Sequence, residues 1–308
     1  MRKGTAVMRR ISFLLLLGTM LLGGCTQIQN GDAHATNNTP NGLIAAEPAK
    51  DNEQTIYEFE TRELYANREG KQIYGVLYMP HNADDQMPAV IYSHGFGGSH
   101  SSAAQYAIEI ASRGYVVYCF DFCGGSTGSR SDGSTLEMSI FTEQADLEAV
   151  LAMIQEQPFV DSNNIFLMGT SMGGAVSAIT AAAHEEEIQG AILLYPAFVI
   201  ADDINNRFTN VEDIPDTFYH MWMTVGHVFA EDLLNYDFYQ AISGYKKDVL
   251  LIHGDADSIV PLSYSERAVE IYDSAKLEIL PGAGHGFYGE DAERAITWIL
   301  EYLRNHTI

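Results

Sequence analysis

Six apolar runs of strand length recur along the chain, at 89–95, 115–121, 164–170, 191–197, 248–254 and 276–282. Stretches with the apolar spacing of a helix separate most of them, over 102–114, 141–157, 171–187, 262–275 and 290–305. A strand that is apolar on both faces is buried on both, so this alternation predicts a mostly parallel sheet with helices on each side. Upstream, "TIYEFETREL" and "KQIYGVLYMP" alternate polar and apolar positions and are divided by "YANREG". They predict an antiparallel pair at the sheet edge, which makes eight strands in all. No internal repeat is present.

The rhythm breaks once. Roughly fifty residues lie between Pro196 and Asp248, far more than one crossover helix needs. Residues 199–236 are therefore expected to form an inserted cap, with Phe208, Phe218, Tyr219, Met221, Trp222, Met223 and Phe229 set among many acids. These aromatic and methionine side chains either turn inward as packing or, at Met221 and Trp222, face a bulky apolar or aromatic substrate group.

The N-terminus follows a different pattern. Arg2, Lys3, Arg9 and Arg10 precede an apolar run from Ile11 to Leu22, which is short for a membrane span and reads as a secretory leader over 1–24. It ends in Leu22-Gly23-Gly24-Cys25, which resembles the bacterial lipoprotein box, whose cysteine is acylated and becomes the mature N-terminus. A membrane association through lipid on Cys25 alone is the expectation. Residues 25–54 are polar, rich in Asn, Gly and Pro, and without period. They read as a tether of about 30 Å random-coil span, ahead of one folded domain over 55–308.

Charge narrows the partners. The chain carries −24, and −28 once the leader's four basic residues are removed. Nucleic acid and bare anionic lipid are disfavoured on that account. With 46% hydrophobic residues, the 308-residue chain holds enough apolar surface for a substantial core. Cys119 and Cys123 flank a strand end; in an extended stretch their Cα atoms stand too far apart for a disulfide, so both are expected as free, buried thiols. No histidine or cysteine stands at ligand spacing from them, and no metal is expected.

Gly169-Thr170-Ser171-Met172-Gly173 is a G-x-S-x-G pattern placed after an apolar strand and at the start of a helical stretch. That placement is what a nucleophile elbow requires. A serine hydroxyl needs a base and an orienting acid, and both follow in the chain. "LLIHGDADSIVP" supplies Asp255 and Asp257, and "LEILPGAGHGF" supplies His285, each at the end of an apolar strand. His94, His220 and His227 are rivals for the base, but none follows the last strand.

With these motifs the sequence resembles the α/β-hydrolase superfamily over about Tyr57 to Leu303, most closely bacterial cinnamoyl and feruloyl esterases and dienelactone-hydrolase-like relatives. The resemblance implies the α/β-hydrolase fold with a small cap, acyl-enzyme chemistry on a small-molecule ester, and no cofactor. It selects Asp257 over Asp255, because His253, Gly254, Asp257, Val260 and Pro261 match the family's H-G-x-x-D-x-x-V-P. In "YSHGFGGSH" it assigns the oxyanion hole to the backbone N–H of Phe96 together with that of Met172, and leaves His94 a bracing role. The Phe96 side chain, Met221 and Trp222 are expected against the substrate, with hydroxycinnamate esters as one candidate. "FDFCGGSTGSRSDGSTLEMSIFTEQADLEAVL" resembles a further family segment but departs from it: Cys123 stands where Asn is usual, and extra Ser, Thr and Arg residues lengthen the loop. Peptides of the kind cleaved by prolyl-oligopeptidase-like enzymes, acylglycerols and lysophospholipids are the alternative substrates, and a surface ligand-binding lipoprotein is the alternative without catalysis.

Overall fold

The computed structural model describes residues 55–81 and 83–308. The leader 1–24, Cys25 and the tether 25–54 lie outside the described residues. Among the described residues no helix is long and apolar enough to cross a membrane.

Strands β1 (Phe59–Arg68) and β2 (Lys71–Pro80) form the antiparallel pair. Here β1 runs four residues past the sequence expectation, because Tyr65 to Arg68 keep pairing with β2 and only Glu69-Gly70 turn the chain. Both turn residues have positive φ, the geometry that matches strand twist in a two-residue hairpin. There follow β3 (Met87–Ser93), α1 (Ala104–Ala111), β4 (Val116–Phe120), α2 (Ile140–Gln155), β5 (Val160–Thr170), α3 (Ser171–Ala183) and β6 (Gly190–Leu194). After β6 come α4 (Val199–Arg207), the hairpin β7 (Thr217–His220) and β8 (Met223–Gly226), and the short helices α5 (His227–Glu231) and α6 (Phe238–Ile242). The chain closes with β9 (Val249–Gly254), α7 (Ser263–Ile271), β10 (Ala275–Leu280) and α8 (Glu290–His306).

Eight strands make one sheet in the order β1-β2-β4-β3-β5-β6-β9-β10, antiparallel at the β1, β2 edge and parallel from β4 onward. The apolar runs divide by alternation between two cores. Ile91, Leu167, Leu193 and Leu251 face the core under α2, α3, α6 and α7, while Tyr92, Met168, Leu194 and Ile252 face the one under α1 and α8. Cys119 and Cys123 are both free and buried. Parallel pairing brings the C-terminal ends of β3, β5, β6, β9 and β10 to one edge, where sheets of this type build their sites.

The expected insertion contains α4, the β7–β8 hairpin and α5. Its large apolar side chains divide: Phe208, Phe218, Met223 and Phe229 are buried, while Tyr219, Met221 and Trp222 are exposed at the end of the hairpin. The long loop between β4 and α2 holds this insertion down. Thr135 Oγ1 donates to the Thr224 carbonyl at 2.8 Å, and Ser139 Oγ bonds Asp232. Gly226 lies so close to the loop that a β-carbon there would sit 2.0 Å from the Leu136 carbonyl oxygen.

Candidate active site

The turn from β5 into α3 carries Ser171 at φ 52°, a left-handed conformation that costs a residue with a side chain about 1–3 kcal/mol. The neighbours hold it there by proximity. A β-carbon at Gly173 would lie 2.3 Å from the carbonyl oxygens of both Ser93 and His94, and one at Gly169 would lie 2.2 Å from the Gly173 carbonyl oxygen. Only hydrogen at these positions lets the end of β3 close over the turn.

Ser171 Oγ lies 2.9 Å from His285 Nε2, and His285 Nδ1 lies 2.8 Å from Asp257 Oδ2. Asp257 Oδ1 accepts from the N–H groups of Ile259 at 2.8 Å and Val260 at 2.9 Å. Burial works to raise the Asp257 pKa, but hydrogen bonds from His253, His285 and the two backbone groups outweigh it and hold the carboxyl well below the usual range. The group is therefore ionised and can only accept. His285 in turn carries its hydrogen on Nδ1, which leaves Nε2 free to accept the Ser171 proton. His253 sits wholly buried beneath Asp257, between Ser265 Oγ at 2.7 Å and the Val260 carbonyl at 2.9 Å. Since a carbonyl accepts, Nε2 of His253 bears hydrogen, and it points within 3.4 Å of Asp257 Oδ2. Asp255 is exposed and accepts from the Gly282 N–H at 2.6 Å, bracing the loop that follows β10.

Phe96 and Met172 flank the serine. Among the described residues neither backbone N–H donates to another protein group, and the Met172 N–H is one of the unpaired donors at the start of α3. The loop carrying Phe96 is fixed by Gly97 N–H to the Gly125 carbonyl at 3.1 Å and Gly98 N–H to the Gly95 carbonyl at 2.9 Å. His94 spans it: Nδ1 donates to the Gly95 carbonyl at 2.8 Å, and Nε2 accepts from the Phe122 N–H at 3.2 Å. Burial pushes the His94 pKa down, in keeping with this neutral ring. Two unpaired backbone donors flanking a serine hydroxyl are an arrangement that can stabilise an oxyanion.

The Phe96 ring packs edge-on to His220, Trp222 and Phe229, so it ties the loop to the insertion. Trp222 lies over Gly97, where a β-carbon would meet its indole nitrogen at 2.5 Å. His220 is buried, and burial together with the nearby Arg207 pushes its pKa down to about 4. His227 Nδ1 donates to the Ile214 carbonyl at 3.1 Å. Arg130 stacks on the Tyr74 ring and pairs with Glu63 at 3.0 Å, away from the serine.

A cleft of about 350 Å³ opens over Ser171 and His285, with Phe96, Met221 and Trp222 on one wall. Its lining also includes residues that no sequence motif marks, among them Tyr106, Tyr195 and Tyr288. Tyr195 follows the end of β6 at φ 39° and packs edge-on to His285 at 4.8 Å between ring centres, so its position at a strand end was the available signal. Among the described residues no group of three His, Cys, Asp or Glu side chains is arranged to hold a metal.

Residues 84–234 match the family described as "Serine aminopeptidase, S33". An uncharacterised protein of Mycobacterium tuberculosis is 27% identical over 214 residues, which span 68% of this chain and 67% of that one. Among solved structures, Est1E from Butyrivibrio proteoclasticus with ferulic acid bound superposes at a TM-score of 0.73, with 24% identity over 79% of this chain and 98% of that chain. Acetyl xylan esterase 1 from a Thermoanaerobacterium species does so at 0.60, with 20% identity over 79% and 83% of the two chains. At these identities the likeness to both is one of fold. The sheet order, the turn at Ser171 and the match over residues 84–234 agree, and the chain has the α/β-hydrolase fold.

Proposed function

We propose that the protein is a serine hydrolase of carboxylic esters. The observation that carries this reading is the hydrogen-bonded chain from Ser171 through His285 to Asp257, set beside two unpaired backbone donors. Ser171 Oγ attacks the ester carbonyl as His285 takes its proton. The Phe96 and Met172 N–H groups receive the charge on the carbonyl oxygen, and His285 then protonates the departing alcohol. Water enters the same geometry to release the acid. Asp257 keeps the imidazole in the required tautomer and stabilises its charged form.

The family description favours a second reading, hydrolysis of an aminoacyl bond. An enzyme that takes a free amino terminus needs an anion to hold it; no Asp or Glu lines the cleft over His285, but Asp203 lines the smaller cavity that also touches Ser171 and Met172. The ester reading is favoured instead by the likeness of fold to the ferulate-bound Est1E and to acetyl xylan esterase 1. The aromatic acyl group expected from the composition of the cap draws support from the rings of Phe96 and Trp222 and from the likeness to the ferulate-bound fold. The test compares wild type with Ser171→Ala on p-nitrophenyl esters, methyl ferulate and aminoacyl anilides. Ester turnover lost in the variant supports the reading; turnover of anilides alone replaces it with peptidase chemistry, and no Ser171-dependent turnover leaves the ligand-binding lipoprotein. The leader and Cys25 support placement outside the cytoplasm on a lipid anchor, as part of the same proposal.

A further inference from the structure

Two cavities meet at Ser171, and the smaller holds a histidine that the triad leaves unused. Ser171, Phe96 and Met221 line both. The larger reaches His285; the smaller reaches Met172 instead, and Ile200 and Val260 are among its apolar walls. In the acyl-enzyme reading, on which this inference rests, the leaving alcohol must lie where His285 can protonate it. The smaller cavity therefore takes the acyl side.

The histidine is His220, on β7 and 9% exposed. It lines the smaller cavity, and among the described residues neither ring nitrogen has a hydrogen-bond partner. Both nitrogens keep accessible surface, unlike the sealed hydroxyl of Tyr106. Packing alone holds the ring, edge-on to Phe96 at 5.3 Å between ring centres and tilted against Phe229 at 5.0 Å. A buried polar group left in this state costs free energy until a ligand supplies the partner. Burial, and then the charge of Arg207, keeps the ring neutral, so one nitrogen donates and the other accepts. Phe96 also carries an oxyanion donor on its backbone, and its contact with His220 sets the imidazole near the first carbons of an acyl group bound at Ser171.

The cavity's other polar wall is Asp203, an exposed side chain on α4 with no ion pair among the described residues. An ammonium group would suit Asp203 alone. Water screens that carboxylate, while Arg207, which donates to the Tyr219 carbonyl beside His220, opposes a second positive charge at the ring. A hydroxyl is neutral and can pair with either nitrogen of His220. We propose that His220 determines specificity on the acyl side by hydrogen bonding to a hydroxyl on the second or third carbon of the acyl group, and that the preferred substrates are esters of hydroxy acids. This hydroxyl takes no part in bond making, which stays with Ser171 and His285. The assignment holds whether the rest of the acyl group is aliphatic or aromatic.

The test uses the full chain in detergent solution at neutral pH, with Ser171→Ala as the blank, and two series of methyl esters that differ in one group of equal size. One series compares 3-hydroxybutanoate with 3-methylbutanoate and 3-aminobutanoate; the other compares 2-hydroxypropanoate with 2-methylpropanoate and 2-aminopropanoate. Alkaline hydrolysis of each ester without enzyme corrects for intrinsic reactivity. Expected in at least one series is a corrected kcat/KM at least ten-fold higher for the hydroxy ester than for either counterpart, since a site built around a substrate hydroxyl rejects the analogue that lacks it. His220→Phe, which keeps a ring against Phe96 and Phe229, should reduce that preference at least five-fold and mostly through KM, while His220→Gln should retain part of it. His220→Leu serves where the phenylalanine variant fails to fold. Ser171-dependent turnover with a preference below ten-fold in both series overturns the proposal and spares the ester reading. Equal losses on the hydroxy and methyl-branched esters in a folded variant overturn it too, and assign the ring to packing. A preference for the amino esters replaces the hydroxyl with an ammonium at Asp203. Absence of any Ser171-dependent ester turnover removes the ester reading along with the proposal.

Discussion

Replacing Asp257 by asparagine isolates what the carboxylate does to the ring of His285. Oδ1 already accepts from the Ile259 and Val260 N–H groups at 2.8 and 2.9 Å, while Oδ2 faces His285 Nδ1 at 2.8 Å. An asparagine satisfies the two backbone donors only by keeping its carbonyl oxygen in place, which turns its NH₂ group toward Nδ1. Two donors then face each other unless the imidazole hydrogen moves to Nε2. In that tautomer Nε2 no longer accepts from Ser171. The same exchange in a comparable triad lowers kcat about 10⁴-fold, or ~5.5 kcal/mol of barrier at ~1.36 kcal/mol per decade. A loss of that size is expected here for Asp257→Asn on p-nitrophenyl acetate, with a far-ultraviolet spectrum like that of the wild type because the two side chains have the same shape. Asp255→Asn should change kcat less than five-fold, because the Asp255 carboxylate bonds only the Gly282 N–H on an exposed loop. The reasoning is refuted if Asp257→Asn retains a tenth of wild-type kcat, or if Asp255→Asn is the more damaging of the two.

Other consequences can be measured independently. Gly173→Ala drives a methyl group into two backbone carbonyls at 2.3 Å, and overpacking of this kind destabilises by about 1–3 kcal/mol; a lower Tm and at least ten-fold lower ester turnover are expected, and wild-type values in both would contradict the close approach. Glu143 is buried with both oxygens unpartnered, and burial followed by the charge of Asp146 raises its pKa well above the ordinary 4.5. The folded state then holds this proton when the unfolded state has lost it, so stability falls as pH rises above that ordinary value toward the raised one. Glu143→Gln removes the effect, and its Tm advantage over wild type should be larger at pH 8 than at pH 5; parallel Tm curves would sink the idea. Burial raises the thiol of Cys119 and pushes that of Cys123 up to about 12, so a water-soluble disulfide reagent should label neither until the protein is unfolded. A palmitate analogue fed to an expressing bacterium should label the wild type and not Cys25→Ala; equal labelling would remove the lipid anchor.

The sheet was legible because its signal is local. Each apolar run is long enough to read alone, and Ser171, Asp257 and His285 each follow one, so their convergence comes from strand order rather than from sequence distance. Less legible was everything that depends on which loop lies over which. His253 matched a motif, but its place under Asp257 depends on Ser265, twelve residues on in the next helix. Tyr106 and Tyr195 belong to no motif in the sequence, since only the packed fold leaves the Tyr106 hydroxyl unpaired and sets the Tyr195 ring against His285. The rings of the insertion could not be sorted by composition, because four short elements in irregular order present no lasting period. Phe218 and Tyr219 are neighbours in sequence, yet one is buried and the other exposed, by the alternation of a strand four residues long.

The seam between the insertion and the β4–α2 loop bears on how this protein can be altered. Thr135, Leu136 and Ser139 meet Thr224, Gly226 and Asp232, so two segments about ninety residues apart in sequence form one joint. A chimera that imports a foreign segment over 199–236 would set whatever residue replaced Gly226 against the Leu136 carbonyl, and would leave Ser139 without its acceptor wherever Asp232 was lost. The transplantable unit is therefore the pair of segments, and a library aimed at new selectivity gains most by varying both sides of that joint together.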